Sequence, residues 1–239
     1  PFVVAATLAL ANALYGLFVV PESLKPENRR DFSWARANPI GTMVTLSKYP
    51  VVFGLGLALF LAGVAQRCLE STWVLYTEHR YHWDVRATGI SLGVVGIAAA
   101  IVQGGLVRRI LPKLGERKTL TLGMSIAALG FFGYGIAPWG WLIYVILAFA
   151  SFGGLGMPAA QGLLSKSVPA NEQGMLQGGV ASLNSITAIV GPPLATNLFG
   201  YFISSKAPFQ LPGAAMFLAS LLALSALLVA RSTFKRIPA

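Results

Sequence analysis

Acidic residues are scarce in this 239-residue sequence. There are 8 Asp and Glu against 18 Lys and Arg, and charged residues make up 11% of the chain. An average soluble domain carries roughly 25% charged side chains, so a soluble globular enzyme is disfavoured. The 55% hydrophobic content also excludes a disordered tail. Cysteine occurs once, as Cys68, which excludes an internal disulfide. Histidine occurs twice. His79 and His82 stand at a spacing that reaches one metal if helical, yet no further ligand completes a site. An interfacial loop over Glu78–Asp84 is the expected setting, with Tyr81 and Trp83 in the aromatic belt. No G-x-x-x-x-G-K, H-E-x-x-H or G-x-S-x-G motif occurs. Neither a nucleotide cofactor nor a catalytic centre is therefore expected. The formal net charge is +10. The basic residues nevertheless sit in short gaps between apolar runs and form no stripe, so nucleic acid is not an expected partner.

What the chain has in abundance is long apolar runs, at a mean hydropathy of +0.68. A bilayer core of about 30 Å takes roughly 20 apolar residues in a helix. Seven stretches reach that length, at about 1–20, 50–74, 87–107, 119–137, 139–164, 173–199 and 211–231. They predict an all-α polytopic membrane protein of about seven spans, with the lipid bilayer as its surroundings. The first, third and fifth gaps and the tail hold 14 of the basic residues, and the other gaps hold 3. Cytoplasmic loops collect Lys and Arg, so the first set is expected on the cytoplasmic side. The first stretch has no basic residues before it and no small-residue cleavage site after it, unlike a signal peptide. The chain opens on Pro1 inside an apolar run, which suggests a bundle continuing upstream. The polar gap from Glu22 to Pro50 separates one leading helix from a block of six. The domain reading is thus residues 1–20 as the last helix of a preceding half, 21–49 as a central cytoplasmic loop, and 50–239 as a six-helix bundle.

Charge inside a span costs about 2.5–3.5 kcal/mol or more, so it normally faces an interior or a wet cavity. Arg67 and Glu70 are such residues, three apart on one helical face. They read either as a mutually neutralised pair reaching toward the outer interface or as cavity-lining groups. Asn184, near the middle of the sixth stretch, and Gln103, in the third, hydrogen-bond between helices or line a cavity. Glycine and proline crowd the fifth and sixth stretches. Gly191, Pro192 and Pro193 are expected to interrupt the sixth and kink it. Asp84 suits an N-cap for the helix that follows it.

Four segments together carry a family resemblance: Trp73-Val-Leu-Tyr-Thr-Glu78 with Arg80-Tyr81-x-Trp83; Leu114-Gly115-Glu116-Arg117-Lys118; Pro158-Ala-Ala-Gln161-Gly162; and Gln173-Gly174-x-Leu176-Gln177-Gly178 followed by Gly191-Pro192. The pattern resembles the C-terminal half of major facilitator superfamily drug exporters of the tetracycline-efflux kind. The resemblance implies helices six to twelve of that fold. It also implies proton-driven export of small drug-like organic molecules by alternating access in a bacterial inner membrane, with protons, substrate and a missing N-terminal half as partners. Such a half is built of two three-helix repeats of inverted topology. Leu111–Lys118 resembles a second copy of the superfamily's loop motif, with Pro112 where that motif has an acid and Arg108 where it has glycine. Gly115, Glu116, Arg117 and Lys118 are retained. Arg117 and Lys118 would hold neighbouring helix ends through their last carbonyls, with Glu116 paired to them. Tetracycline-exporting relatives similar to this chain have an acid at the position of Ala127 and a histidine at that of Ala99, while Gln103 matches. Proton coupling would then rest on the upstream half or on Glu70. A facilitator for a metabolite and a non-transporting structural membrane protein remain as alternatives.

Overall fold

The computed structural model describes residues 2–20 and 49–235. The chain divides into two units between Ser33 and Trp34. The expected central loop, with Lys25, Arg29, Arg30, Arg36 and Lys48, lies outside the described residues, as does Arg236. The first unit contributes α1, Phe2–Phe18, a 17-residue apolar helix.

The second unit is a bundle of α2 (Pro50–Tyr81), α3 (Val85–Leu114), α4 (Glu116–Ile136), α5 (Gly140–Lys166), α6 (Gln173–Ile203) and α7 (Ala214–Lys235). All six are long and apolar enough to cross a membrane, whereas α1 is shorter. Their boundaries follow from local chemistry. Pro50 opens α2, where the missing N–H costs no helical bond. His82 closes it in the left-handed conformation, at φ 55°, with its N–H donating to the Glu78 carbonyl. The helix therefore runs on through Tyr81, beyond the expected span, and His79 is helical rather than in a loop. The Asp84 Oδ1 caps α3, accepting from the Ala87 N–H at 2.7 Å. Gly115, at φ 74°, breaks the chain between α3 and α4. That conformation suits glycine because no Cβ crowds the following carbonyl.

The core runs through α2, α4 and α7. Helix α2 lies along α7 and α6, α7 along α4, and α4 along α5. Two apolar clusters form. One joins Ala65, Trp73 and Tyr76 of α2 to Tyr134 of α4 and Met216 of α7. The other joins Leu55 of α2 to Leu120 of α4, Leu164 of α5 and Leu227 of α7. Helix α3 is peripheral: its most apolar stretch is 11% buried in the bundle, against 50% for α4.

Small residues set the closest approaches. A Cβ on Gly123 of α4 would lie 2.6 Å from the backbone nitrogen of Gly156 in α5, so that crossing admits no side chain. Two spans depart from α geometry. Val102–Leu106 of α3 is a π turn, and Ser151–Leu155 of α5 is a 3₁₀ turn packed against it. Helix α6, in contrast, is continuous through Pro192 and Pro193, which do not interrupt it. Polar side chains support the following turn. The Thr196 hydroxyl donates to the Pro192 carbonyl at 2.8 Å and the Asn197 amide to the Pro193 carbonyl at 2.7 Å.

Candidate functional site: a polar-edged cavity within the bundle

The stripes that helical periodicity brings together on α2, α4 and α6 enclose a cavity of about 580 Å³, with further walls from α3, α5 and α7. On α2 the stripe is Leu59, Ala62, Gly63, Gln66; on α6 it is Val180, Leu183, Asn184, Thr187. Both follow the i, i+3, i+4, i+7 pattern of one helix face. Helix α4 adds Met124, Ala127, Phe131 and Tyr134, and α5 adds Ser151 and Met157. The cavity touches members of both apolar clusters, so it lies where they meet.

Three of the candidates read from the sequence meet here. Gln103, Asn184 and Arg67 line the one cavity, although they come from α3, α6 and α2. Glu70 does not line it but is tied to the group that does. Neither Gln103 nor Asn184 makes a side-chain hydrogen bond to another described residue, and both are exposed. Among the described residues the two amides therefore tie no helices together, and both stand in the cavity wall. Gln103 sits within the π turn, which puts one extra residue into the helix and sets where the amide points. Ala99 and Ala127 line the same cavity.

Arg67 and Glu70 form an ion pair, with Nη1 to Oε2 at 2.6 Å. The second carboxylate oxygen accepts from the Gln66 amide at 3.1 Å. The side chains are 42% and 47% exposed, so the pair is not sealed in the core. Its position is set from the facing helix. A Cβ on Gly191 would collide with the Arg67 Cβ, so α6 approaches α2 here only because residue 191 is glycine. The role of Gly191 is thus close approach to Arg67. Cys68 is buried beside it, its thiol 3.8 Å from the Gly191 carbonyl.

The resemblance segments fall at the two ends of the bundle. At the His82 end, Tyr76 donates to the Tyr134 carbonyl, and both Tyr81 Oη and Arg80 Nε donate to the Ala137 carbonyl, at 2.7 and 3.1 Å. Trp73 Nε1 donates to Ser91 at 3.0 Å, and Trp83 stacks on Tyr144 at 5.2 Å. These contacts fasten α2 to α3 and α4, and the turn after α2 to α5. Neither His79 nor His82 belongs to a metal-ligand cluster among the described residues.

At the Gly115 end, Glu116 pairs across to Lys166 at the close of α5, at 2.7 Å. The expected pairing with Arg117 or Lys118 gives way because successive helix residues point apart. Glu116 also lies over Gly162, where a Cβ would stand 2.6 Å from its Oε1. The Arg117 guanidinium sits over the Phe234 ring of α7 at 5.8 Å. The Gln173 amide donates to the carbonyls of Ser165 and Val168 at 2.6 and 3.2 Å, and Gln177 reaches Gln161 at 3.5 Å. The segments around Gln161, Gln173 and Glu116 are therefore one set of ties between α4, α5 and α6. The sequence offered each segment singly but not the pairing, which depends on how the helices are placed.

Comparison with known proteins decides the class. The profile of the Major Facilitator Superfamily matches residues 1–154 and 113–238. The chain belongs to the major facilitator superfamily. The chain is accordingly a multi-pass membrane protein, and its six long apolar helices accord with that. It is 33% identical over 225 residues to the class C tetracycline resistance protein of Escherichia coli, covering 94% of this chain and 57% of that relative. It is 40% identical over 127 residues to the class G tetracycline resistance protein of Vibrio anguillarum, covering 53% and 32% respectively. It is 26% identical over 208 residues to the hippocampus abundant transcript 1 protein of Mus musculus, covering 84% and 42%. The chain thus spans about half the length of the curated relatives it matches.

Proposed function

We propose that residues 1–239 form the C-terminal part of a proton-coupled exporter of drug-like small organic molecules, working by alternating access in a bacterial inner membrane. In this reading residues 1–20 are the sixth helix, 21–49 the central cytoplasmic loop and 50–239 the second six-helix half. The N-terminal half of the same polypeptide covers the apolar face of α3. The observation that carries the reading is the cavity: in a member of this superfamily, Gln103, Asn184 and Arg67 from three helices converge on one partly polar chamber. Such chambers between helices are where carriers hold a substrate while the two halves rock about it. The tetracycline resistance proteins among the relatives support efflux as the direction. Ala127 and Ala99 leave this chamber without an acid or a histidine on α4 or α3.

The test is transport in everted membrane vesicles holding the full-length polypeptide, energised by a proton gradient. A fluorescent amphipathic compound should accumulate saturably and leak out when the gradient is collapsed. Gln103→Ala and Asn184→Ala should each shift the half-saturating concentration several-fold while the amount of protein in the membrane stays near normal. Accumulation indifferent to the gradient would remove proton coupling. Unchanged profiles in both variants would remove these two residues from the site.

A further inference from the structure

The ionic inventory of the cavity reaches beyond the class of carrier to the charge of its cargo. Among the residues that line it, Arg67 alone is charged at neutral pH. The nearest carboxylate, Glu70, is not in the wall, and both of its oxygens are engaged, one by Arg67 and one by Gln66. More than two turns from either end of the six long helices, no other charged side chain occurs among the described residues. Among the described residues, a cation entering the cavity therefore meets no available anionic partner.

Donors, by contrast, are in excess. A guanidinium offers five N–H groups in a planar fork suited to a carboxylate, and the Glu70 contact recorded for Arg67 runs through Nη1. The Gln103 and Asn184 amides are unengaged. The Ser151 and Thr187 hydroxyls spend their hydrogens on carbonyls of their own helices, at 2.7 Å each, and so offer no further donor. Beside Gln66 and Tyr134, the remaining wall is apolar and includes Phe131, Met124 and Met157.

We infer that this cavity takes uncharged or anionic amphipathic molecules, and that Arg67 is the specificity-determining residue that receives their acceptor or acidic group and disfavours cations. This inference rests on the carrier reading above. Glu70 and Gln66 hold the guanidinium at the wall. Gly191 keeps α6 close enough to fix its stem.

The experiment is binding of three probes to the purified full-length polypeptide in detergent, followed by ligand-induced shift in melting temperature and by calorimetry. The probes are one naphthalene scaffold bearing a carboxylate, a carboxamide or an ammonium group. The carboxylate should bind at least about tenfold more tightly than the ammonium compound, the scale of one charge-assisted hydrogen bond. Arg67→Gln should lower carboxylate affinity by about tenfold and bring it down to that of the carboxamide. Because that variant strands Glu70, the Arg67→Gln/Glu70→Gln double variant is measured alongside and should show the same collapse of preference. Arg67→Lys, which keeps the charge without the fork, should fall between. Preference for the ammonium probe, or a carboxylate preference that survives in the double variant, would overturn the inference while leaving a carrier in place. Failure of all three probes to bind saturably would overturn the inference and the carrier reading together.

Discussion

Arg67 owes its position to Gly191 on the opposite helix. The guanidinium stem and the α6 backbone meet where a Cβ has no room, so the smallest residue on one helix sets the place of a charged side chain on the other. Forcing extra methylenes into such a contact costs about 1–3 kcal/mol. Gly191→Val should therefore lower the detergent melting temperature and displace Arg67 from the cavity wall. Gly174→Ala, on the same helix with nothing within 4 Å of its would-be Cβ, should leave the melting temperature alone. Equal effects from the two substitutions would contradict the assigned contact. At this scale the sequence was partly legible. Arg67 and Glu70 announced themselves as charges three apart in an apolar run, and the pair is formed. In the sequence Gly191 and its prolines look like an interruption, because a sequence shows a helix-weakening residue but not the neighbour for which space is kept.

The six long helices were legible from run length alone, because about 20 apolar residues in a row have few other fates. Their ends moved outward where capping outlasted hydropathy. Helix α2 continues through Glu78, His79 and Arg80 to a left-handed His82. The cavity stripes on α2 and α6 follow helical periodicity, but most of their members are as apolar as the lipid-facing residues, so composition could not tell one face from the other. The π turn at Val102–Leu106 was not anticipated. Gly104-Gly105 beside Gln103 was its only sequence signal. A π turn is an α-helix with one residue added, so removing that residue should leave both flanking segments in place. Deleting Gly104 is predicted to give a folded protein with a melting temperature at or above that of the parent. The Gln103 amide should then be turned away from the cavity. Cysteine placed at 103 should react with a water-soluble maleimide in the parent and much more slowly in the deletion variant. Equal reactivity in both would show that the π turn does not aim residue 103.

The whole molecule is asymmetric in charge and in burial. Among the described residues, the Gly115 end carries most of the basic side chains and the polar ties among α4, α5 and α6, while the His82 end is fastened by aromatic side chains. That distribution predicts opposite faces of the membrane. In a Cys68→Ala background, cysteine at 115 should label from the cytoplasmic side only and cysteine at 82 from the external side only; the reverse pattern would overturn the orientation. Burial is equally uneven. Helix α3 presents Ile90, Leu92, Ile97 and Ile101 outward from the bundle, and glycines 89, 93 and 96 have nothing within 4 Å of a would-be Cβ. In the proposed carrier the other half lies against this face, and no transport cycle runs without it. The most direct measurement compares proton-driven uptake in everted vesicles containing residues 1–239 alone with uptake in vesicles that also contain the remaining half as a separate polypeptide. The account predicts no saturable uptake from the first and its restoration in the second. Robust saturable uptake by residues 1–239 alone would contradict it.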